Sequence, residues 1–227
     1  SAANTLGTNA NVYIHSQNAT ANPSFSFAFG QTANTWVFNR VDVGGANDFG
    51  GRLDLNQEAA ANVARVWAVS ALYMQSGTNT VGFAGSTGTH TLRLNGNVTV
   101  NATARAGSVF REPASSTSGR IDLNGGNRVF AVAAGTPTSG MDLRVSIPLV
   151  DLAGGGVLTK EGAGLMVLDL RAGDSTYAGG TVVANGTLSV QNTAGSATGT
   201  GAVTVGENGT LSGNGIISGA VTVDGTL

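Results

Sequence analysis

The chain has 227 residues, including 35 Gly, 4 Pro and no Cys; 11% are charged, 41% are hydrophobic and the net charge is −2. This balance excludes a disordered chain, which combines low hydropathy with high net charge; ten Arg and the single Lys160, scattered among acids, exclude the concentrated basic surface that a nucleic-acid partner requires. No apolar run reaches the ~18 residues of a membrane span, and the absence of Cys rules out disulfides and thiolate metal sites.

The excess of Gly, Thr, Asn, Ala and Val suits short β-branched strands joined by tight turns, so an all-β chain is expected. No basic start followed by an apolar stretch opens it, and any export signal is expected to have been removed already. Residues 1–50 carry Phe25, Phe27, Phe29, Trp36, Phe38 and Phe49, a concentration of the aromatic residues. The alternation Phe25-Ser26-Phe27-Ala28-Phe29 predicts a strand with one apolar face. This segment is expected to cap the core or form its first coils, with an intersubunit contact as the alternative. Asp42, Asp48 and Asp54 could approach one another in stacked coils, and Gly44-Gly45-Ala46-Asn47-Asp48 is like a calcium-binding nonapeptide. Its glycine and aspartate fall at the wrong offsets, and no metal site is assigned.

Gln57–Ala71 is the best helix candidate, at most two turns long, although Arg65-Val66-Trp67-Ala68-Val69 within it alternates as a strand would. His15 and His90 lie 75 residues apart among polar neighbours, neither beside a nucleophile elbow. Both are expected at the surface, and no catalytic residue or cofactor is assigned. The Asn-x-Ser/Thr sequons at Asn18, Asn97, Asn101, Asn185 and Asn208 follow from composition, and no modification is expected at them.

Arg and Asp repeatedly stand two apart around an apolar residue: Arg40/Asp42, Arg52/Asp54, Arg120/Asp122, Asp142/Arg144 and Asp169/Arg171. Positions i and i+2 of a strand share a face, so the charges should point outward while Val41, Leu53, Ile121, Leu143 and Leu170 point inward. Such pairs read either as a solvated face, each worth ~0–1 kcal/mol, or as a lateral face that sets register against a neighbouring rod.

Repeats dominate the C-terminal third. Gly201-Ala202-Val203-Thr204-Val205 recurs as Gly219-Ala220-Val221-Thr222-Val223 after a shift of 18, and Thr181–Leu188 resembles Thr204–Leu211 after a shift of 23. Further up, Gly51-Arg52-Leu53-Asp54-Leu55-Asn56 reappears as Gly119-Arg120-Ile121-Asp122-Leu123-Asn124. A unit near 20 residues of alternating strands is the length of one solenoid coil. The Asn-Gly pairs at 185–186 and 208–209 allow a hairpin meander as the competing arrangement. The near-constant shift favours stacking like on like: a right-handed parallel β-helix of about eleven coils, on the order of 50 Å long. Residues 51–227 are expected to form one continuous solenoid. Leu123, Leu143, Leu158, Leu168, Val182, Leu188, Val203, Val205, Leu211, Val221 and Val223 are the predicted inward positions.

Gly155–Leu168, with its Leu158-Thr159-Lys160 and Gly162-Ala163-Gly164 runs, is followed by Tyr177-Ala178-Gly179-Gly180-Thr181 and Gly186-Thr187-Leu188. These residues resemble the autotransporter-associated β-strand repeat, also called the passenger-associated transport repeat. The likeness is specific over about 155–190, looser over 119–154 and 191–227, and compositional before 119. It implies a parallel β-helix, export to the bacterial cell surface and passenger or adhesin roles, and it supplies no catalytic residues.

The expected function is therefore a secreted bacterial structural or adhesive rod, not an enzyme. Its partners are expected to be other copies, end to end, and extracellular polysaccharide or a host surface, with no nucleic acid and no membrane span. The alternative is a carbohydrate-active β-helix enzyme of the polysaccharide lyase or glycosidase type, which relies on clustered carboxylates or Ca²⁺. Residues 201–227 contain no Pro or Lys to blunt a sheet edge. That edge is expected to be covered by the aromatic N-terminal segment of the next copy or by further coils of a longer passenger.

Overall fold

The computed structural model describes residues 10–14, 24–26, 35–45, 50–56, 64–84, 89–103, 105–111, 119–170 and 173–227. The expectations for His15, Asn18, Phe27, Phe29, Asp48, Phe49, residues 57–63 and Arg171 lie outside them.

The first strands are β1 (Ala10–Ile14), β2 (Ser24–Ser26), β3 (Thr35–Val43), β4 (Arg52–Asn56), β5 (Arg65–Val69), β6 (Leu72–Met74), β7 (Thr80–Ala84), β8 (His90–Leu94) and β9 (Val98–Val100). There follow β10 (Ser108–Arg111), β11 (Gly119–Asp122), β12 (Asn127–Val132), β13 (Leu143–Val145), β14 (Leu149–Val150), β15 (Val157–Glu161), β16 (Leu165–Leu168), β17 (Thr181–Val190), β18 (Val203–Gly213) and β19 (Val221–Val223). Every pairing between them is parallel, and each joins strands of successive coils. The chain is a parallel β-helix, and the Asn-Gly pairs are not hairpins: Asn185 stacks on Asn208 and Gly186 on Gly209.

The strands form three columns. One runs β1, β3, β6, β9, β12, β15, β17, β18, β19. A second runs β2, β4, β7, β10, β13, β16, β17, β18. The third contains β3, β5, β8, β11 and β14. Strands β3, β17 and β18 are long enough to round a corner and serve two columns. The first column gives nine rungs among the described residues, not the eleven expected, and at ~4.8 Å per rung the stack is about 40 Å long. The reason is coil length. Ser108 pairs with Leu143, 35 residues on, and Arg65 with His90, 25 on; only the last coils shorten, to 18 between Val203 and Val221.

Inward residues alternate with outward ones along each strand and stack into ladders of Val, Leu, Ile, Phe and Met. Of the predicted inward positions, Leu123, Leu143, Leu158, Leu168, Leu188, Val203, Val205 and Leu211 are buried. Val182 is not in the core; Val183 takes its place. Aligning the repeats at a constant 23 put Val182 over Val205. The structure pairs Val183 with Val205, and a register irregularity between Val183 and Asn185 absorbs the extra residue. Val221 and Val223 stack on Val203 and Val205 but remain 43% and 36% exposed, because no rung covers them. In the helix candidate, residues 65–69 are β5, and no helix occurs among the described residues. Strand alternation there outweighs the alanine-rich approach to it.

The similar hexapeptides at 51–56 and 119–124 do not stack on each other. The first supplies β4, in the second column, and the other β11, in the third. Their likeness reflects a common local design: an apolar residue inward, Arg and Asp outward, then Asn at the corner.

Candidate functional site

The Arg and Asp residues that stand two apart lie on the outer face, as strand parity requires, but most of their carboxylates are not solvated. Asp42, Asp54, Asp122 and Asp142 are each at most 6% exposed, while Arg40, Arg52 and Arg93 lie over them part-exposed. Asp42 accepts from Arg40 Nε at 2.6 Å and Gln75 Nε2 at 2.7 Å, and Gln75 Oε1 accepts from Asn101 at 2.7 Å. This chain of bonds crosses three rungs, and the Arg40 guanidinium also lies 4.0 Å from the Tyr73 ring centroid. Arg52 and Asp54 pair within β4 at 2.8 Å.

The other pairs differ from the sequence expectation. Asp122 is bound by Arg93 of the preceding coil at 2.9 Å, while Arg120 donates to Thr91. Asp122 also accepts the backbone N–H groups of Asn124 and Leu152, each at 3.0 Å. Asp142 accepts the N–H groups of Gly135 and Leu165, and Arg144 pairs across a coil with Asp169. Partners i and i+2 share a strand face, but the rung above or below lies only ~4.8 Å away, so both choices are within reach. These groups hold coil to coil and coil to corner.

The motif at 158–190 builds two turns of the rod, one between β15 and β16 and one leading into β17. Lys160 is fully buried, stacked between Phe130 and Val183 in the ladder. Its Nζ donates to the carbonyls of Glu161 at 2.9 Å, Gly162 at 2.7 Å and Asn185 at 3.0 Å. Burial pushes the ammonium down to about 8, against the favourable fields of Asp142 and Glu161. Gly162 has φ +77°, and a Cβ there would lie 2.4 Å from the Val132 carbonyl oxygen. Tyr177 is fully buried, with its hydroxyl 2.6 Å from Thr181 Oγ1, and burial raises its pKa. Gly180, at φ +102°, turns the chain between these two motif residues. These residues thus do structural work: Lys160 and Gly162 close the corner where β15 turns toward β16, and Tyr177, Gly180 and Thr181 order the turn into β17.

His90 corrects the expectation of a surface histidine. It precedes Leu92 and Leu94 at the same parity in β8 and points inward, fully buried. Its pKa is lowered by burial and by the nearby Arg65. Asp42 and Asp54 bind separate arginines in separate columns and do not converge. No group of three or more His, Cys, Asp or Glu residues suited to a metal occurs among the described residues, and no helix there is long and apolar enough to cross a membrane. Asn97 accepts the Val129 N–H, Asn101 binds Gln75, and Asn185 and Asn208 stack in the corner ladder. At the last rung, Val190, Leu211, Ser212, Gly213, Gly215, Ile217 and Leu227 line a largely apolar cavity of about 320 Å³.

Residues 158–190 match the family model described as the passenger-associated-transport-repeat. No curated protein and no solved structure matches the chain.

Proposed function

We propose that the chain is a secreted bacterial structural or adhesive rod, the stalk-like part of a surface-exported passenger. The observation that carries this reading is the place of the matched repeat. It spans β16, β17 and most of β15, in the middle of an uninterrupted parallel stack, and its motif residues serve that stack. Hydrogen-bonded side chains hold the outer face, and the apolar residues are gathered into one continuous core. The family association with exported passengers supports a location at or beyond the cell surface.

End-to-end association is the finer part of the proposal. Val221, Val223 and Leu227 are exposed, Leu227 lines the 320 Å³ cavity, and the outer edge of β19 is a row of backbone groups able to accept another rung. A second copy stacking its first coils there makes a head-to-tail contact, which does not close and therefore gives filaments. Light scattering and negative-stain imaging of the purified chain over a concentration series test this. Filaments that disappear in a Val223→Lys, Leu227→Lys double variant with unchanged far-UV circular dichroism are expected. A wild-type chain that stays monomeric at the highest concentration refutes end-to-end stacking. For adhesion, the chain is immobilised and assayed against purified extracellular polysaccharides and matrix proteins with and without Ca²⁺. Saturable binding without turnover is expected, and saturable, heat-labile turnover would overturn the rod reading in favour of a carbohydrate-active enzyme.

A further inference from the structure

The inner face of the third column contains a polar group of side chains that the stack does not use. Arg65 and Trp67 share the inward side of β5, and His90 is the register partner of Arg65 in the next rung. Trp67 and His90 are fully buried and Arg65 is 3% exposed. Their polar atoms nevertheless lack partners: Arg65 Nε, Trp67 Nε1 and both ring nitrogens of His90 make no hydrogen bond among the described residues. Four orphaned polar atoms on three neighbouring side chains are unusual; elsewhere among the described residues only Arg144 Nε and Thr198 Oγ1 are buried without a partner.

Arg65 sharpens the problem. Among the described residues no carboxylate pairs with it, whereas Arg40, Arg52, Arg93 and Arg144 each have an Asp. Its guanidinium lies 5.5 Å from the Trp36 ring centroid, and Trp36 stacks on Trp67 at 5.6 Å. A cation–π contact is worth about 0.5–2 kcal/mol, while burying an ion costs several kcal/mol. Stacking alone does not balance the charge; a counter-charge does. His90 cannot supply it, because an imidazole is neutral or positive.

The Trp67 and His90 rings are tilted by 35° with centroids 5.7 Å apart, so they do not close face to face. In the rung beyond His90 its register partner is Gly119, which stacks no side chain of its own on the imidazole. We infer that Arg65, Trp67 and His90 form an internal binding site for a small monovalent anion of the halide or carboxylate class. The guanidinium Nε–H, the indole N–H and one imidazole N–H donate to it, and its charge offsets that of Arg65. The ligand belongs to the rod's interior and orders the early coils, independently of what the outer surface binds.

Trp36 and Trp67 are the only two tryptophans of the chain, so tryptophan emission excited at the red edge, where tyrosine does not absorb, reports this place alone. The full chain is titrated with sodium chloride, and separately with sodium formate, at constant ionic strength in gluconate, a bulky anion. Thermal midpoint and tryptophan emission are recorded. A saturable emission change with a rising midpoint is expected. Arg65→Met should lose both responses, and His90→Leu should weaken the apparent Kd about tenfold, the worth of one hydrogen bond to a charged group. Identical midpoints and emission in gluconate, chloride and formate overturn the site, as does a response that survives in Arg65→Met. If Arg65→Met does not fold, an unchanged affinity in His90→Leu overturns it.

Discussion

Replacing Lys160 by Met tests whether the matched repeat works through its buried ammonium. Met preserves an unbranched chain between Phe130 and Val183 in the ladder and removes the three N–H donors. The carbonyls of Glu161, Gly162 and Asn185 then lose a donor at once. A carbonyl left unsatisfied in a buried place costs about 1–3 kcal/mol, so three of them would cost roughly 3–9 kcal/mol if none were rescued. Two effects reduce this. Glu161 is exposed and Gly162 part-exposed, so water reaches part of that corner. Burial also penalises the ammonium, as its lowered pKa shows, and Met relieves that penalty. The net expectation is a loss of about 2–4 kcal/mol, concentrated in the bond that ties β15 to the next coil through Asn185. Urea unfolding followed by far-UV circular dichroism measures it. The midpoint should fall without a change in slope, and Lys160→Ala should fall further because it adds a cavity. A Met variant as stable as the wild type would refute the argument, since charge burial would then outweigh the carbonyl bonds.

Val183→Asp should abolish or nearly abolish folding, because an unpaired carboxylate would enter the core, whereas Val182→Thr should change stability by no more than about 0.5 kcal/mol; comparable losses in both would refute the register. Arg93→Met leaves Asp122 buried beneath it without its cation, and a loss of about 1–3 kcal/mol in chemical unfolding is expected, against less than about 1 kcal/mol for Arg120→Met, which loses a bond to Thr91. His90 titrates below its ordinary value of 6.5 in the folded chain, so the unfolded chain takes up its proton first as pH falls. Stability from this residue is therefore present above pH 6.5 and lost as pH drops from 6.5 toward the lower folded value. Thermal melts from pH 7.5 to 5 should show a slope that is smaller in His90→Leu, and equal slopes would refute it.

The alternation of Val and Leu with Thr, the glycine corners and the repeat at 201–223 determined by themselves that the chain is an all-β solenoid. They also determined most of its core, because a strand's period of two fixes which residues share a face. The motif at 155–190 made Lys160, Tyr177 and Thr181 visible as a unit, though not that they serve two different turns of the coil. Tertiary structure alone decided the rest. Val182 and Val183 are both β-branched and adjacent, and only the irregularity before Asn185 selects which faces inward. The hexapeptides beginning at Gly51 and Gly119 are nearly identical, yet they occupy different columns, because coil length varies between them. Arg120 and Asp122 look like partners in one dimension; stacking brings Arg93 to Asp122 instead. His90 and Arg65 carry polar labels that suggest a surface, and parity with Leu92 and Val69 turns both inward. Local pattern governs face, whereas register and coil length govern neighbours, and the function of a buried charge depends on its neighbours.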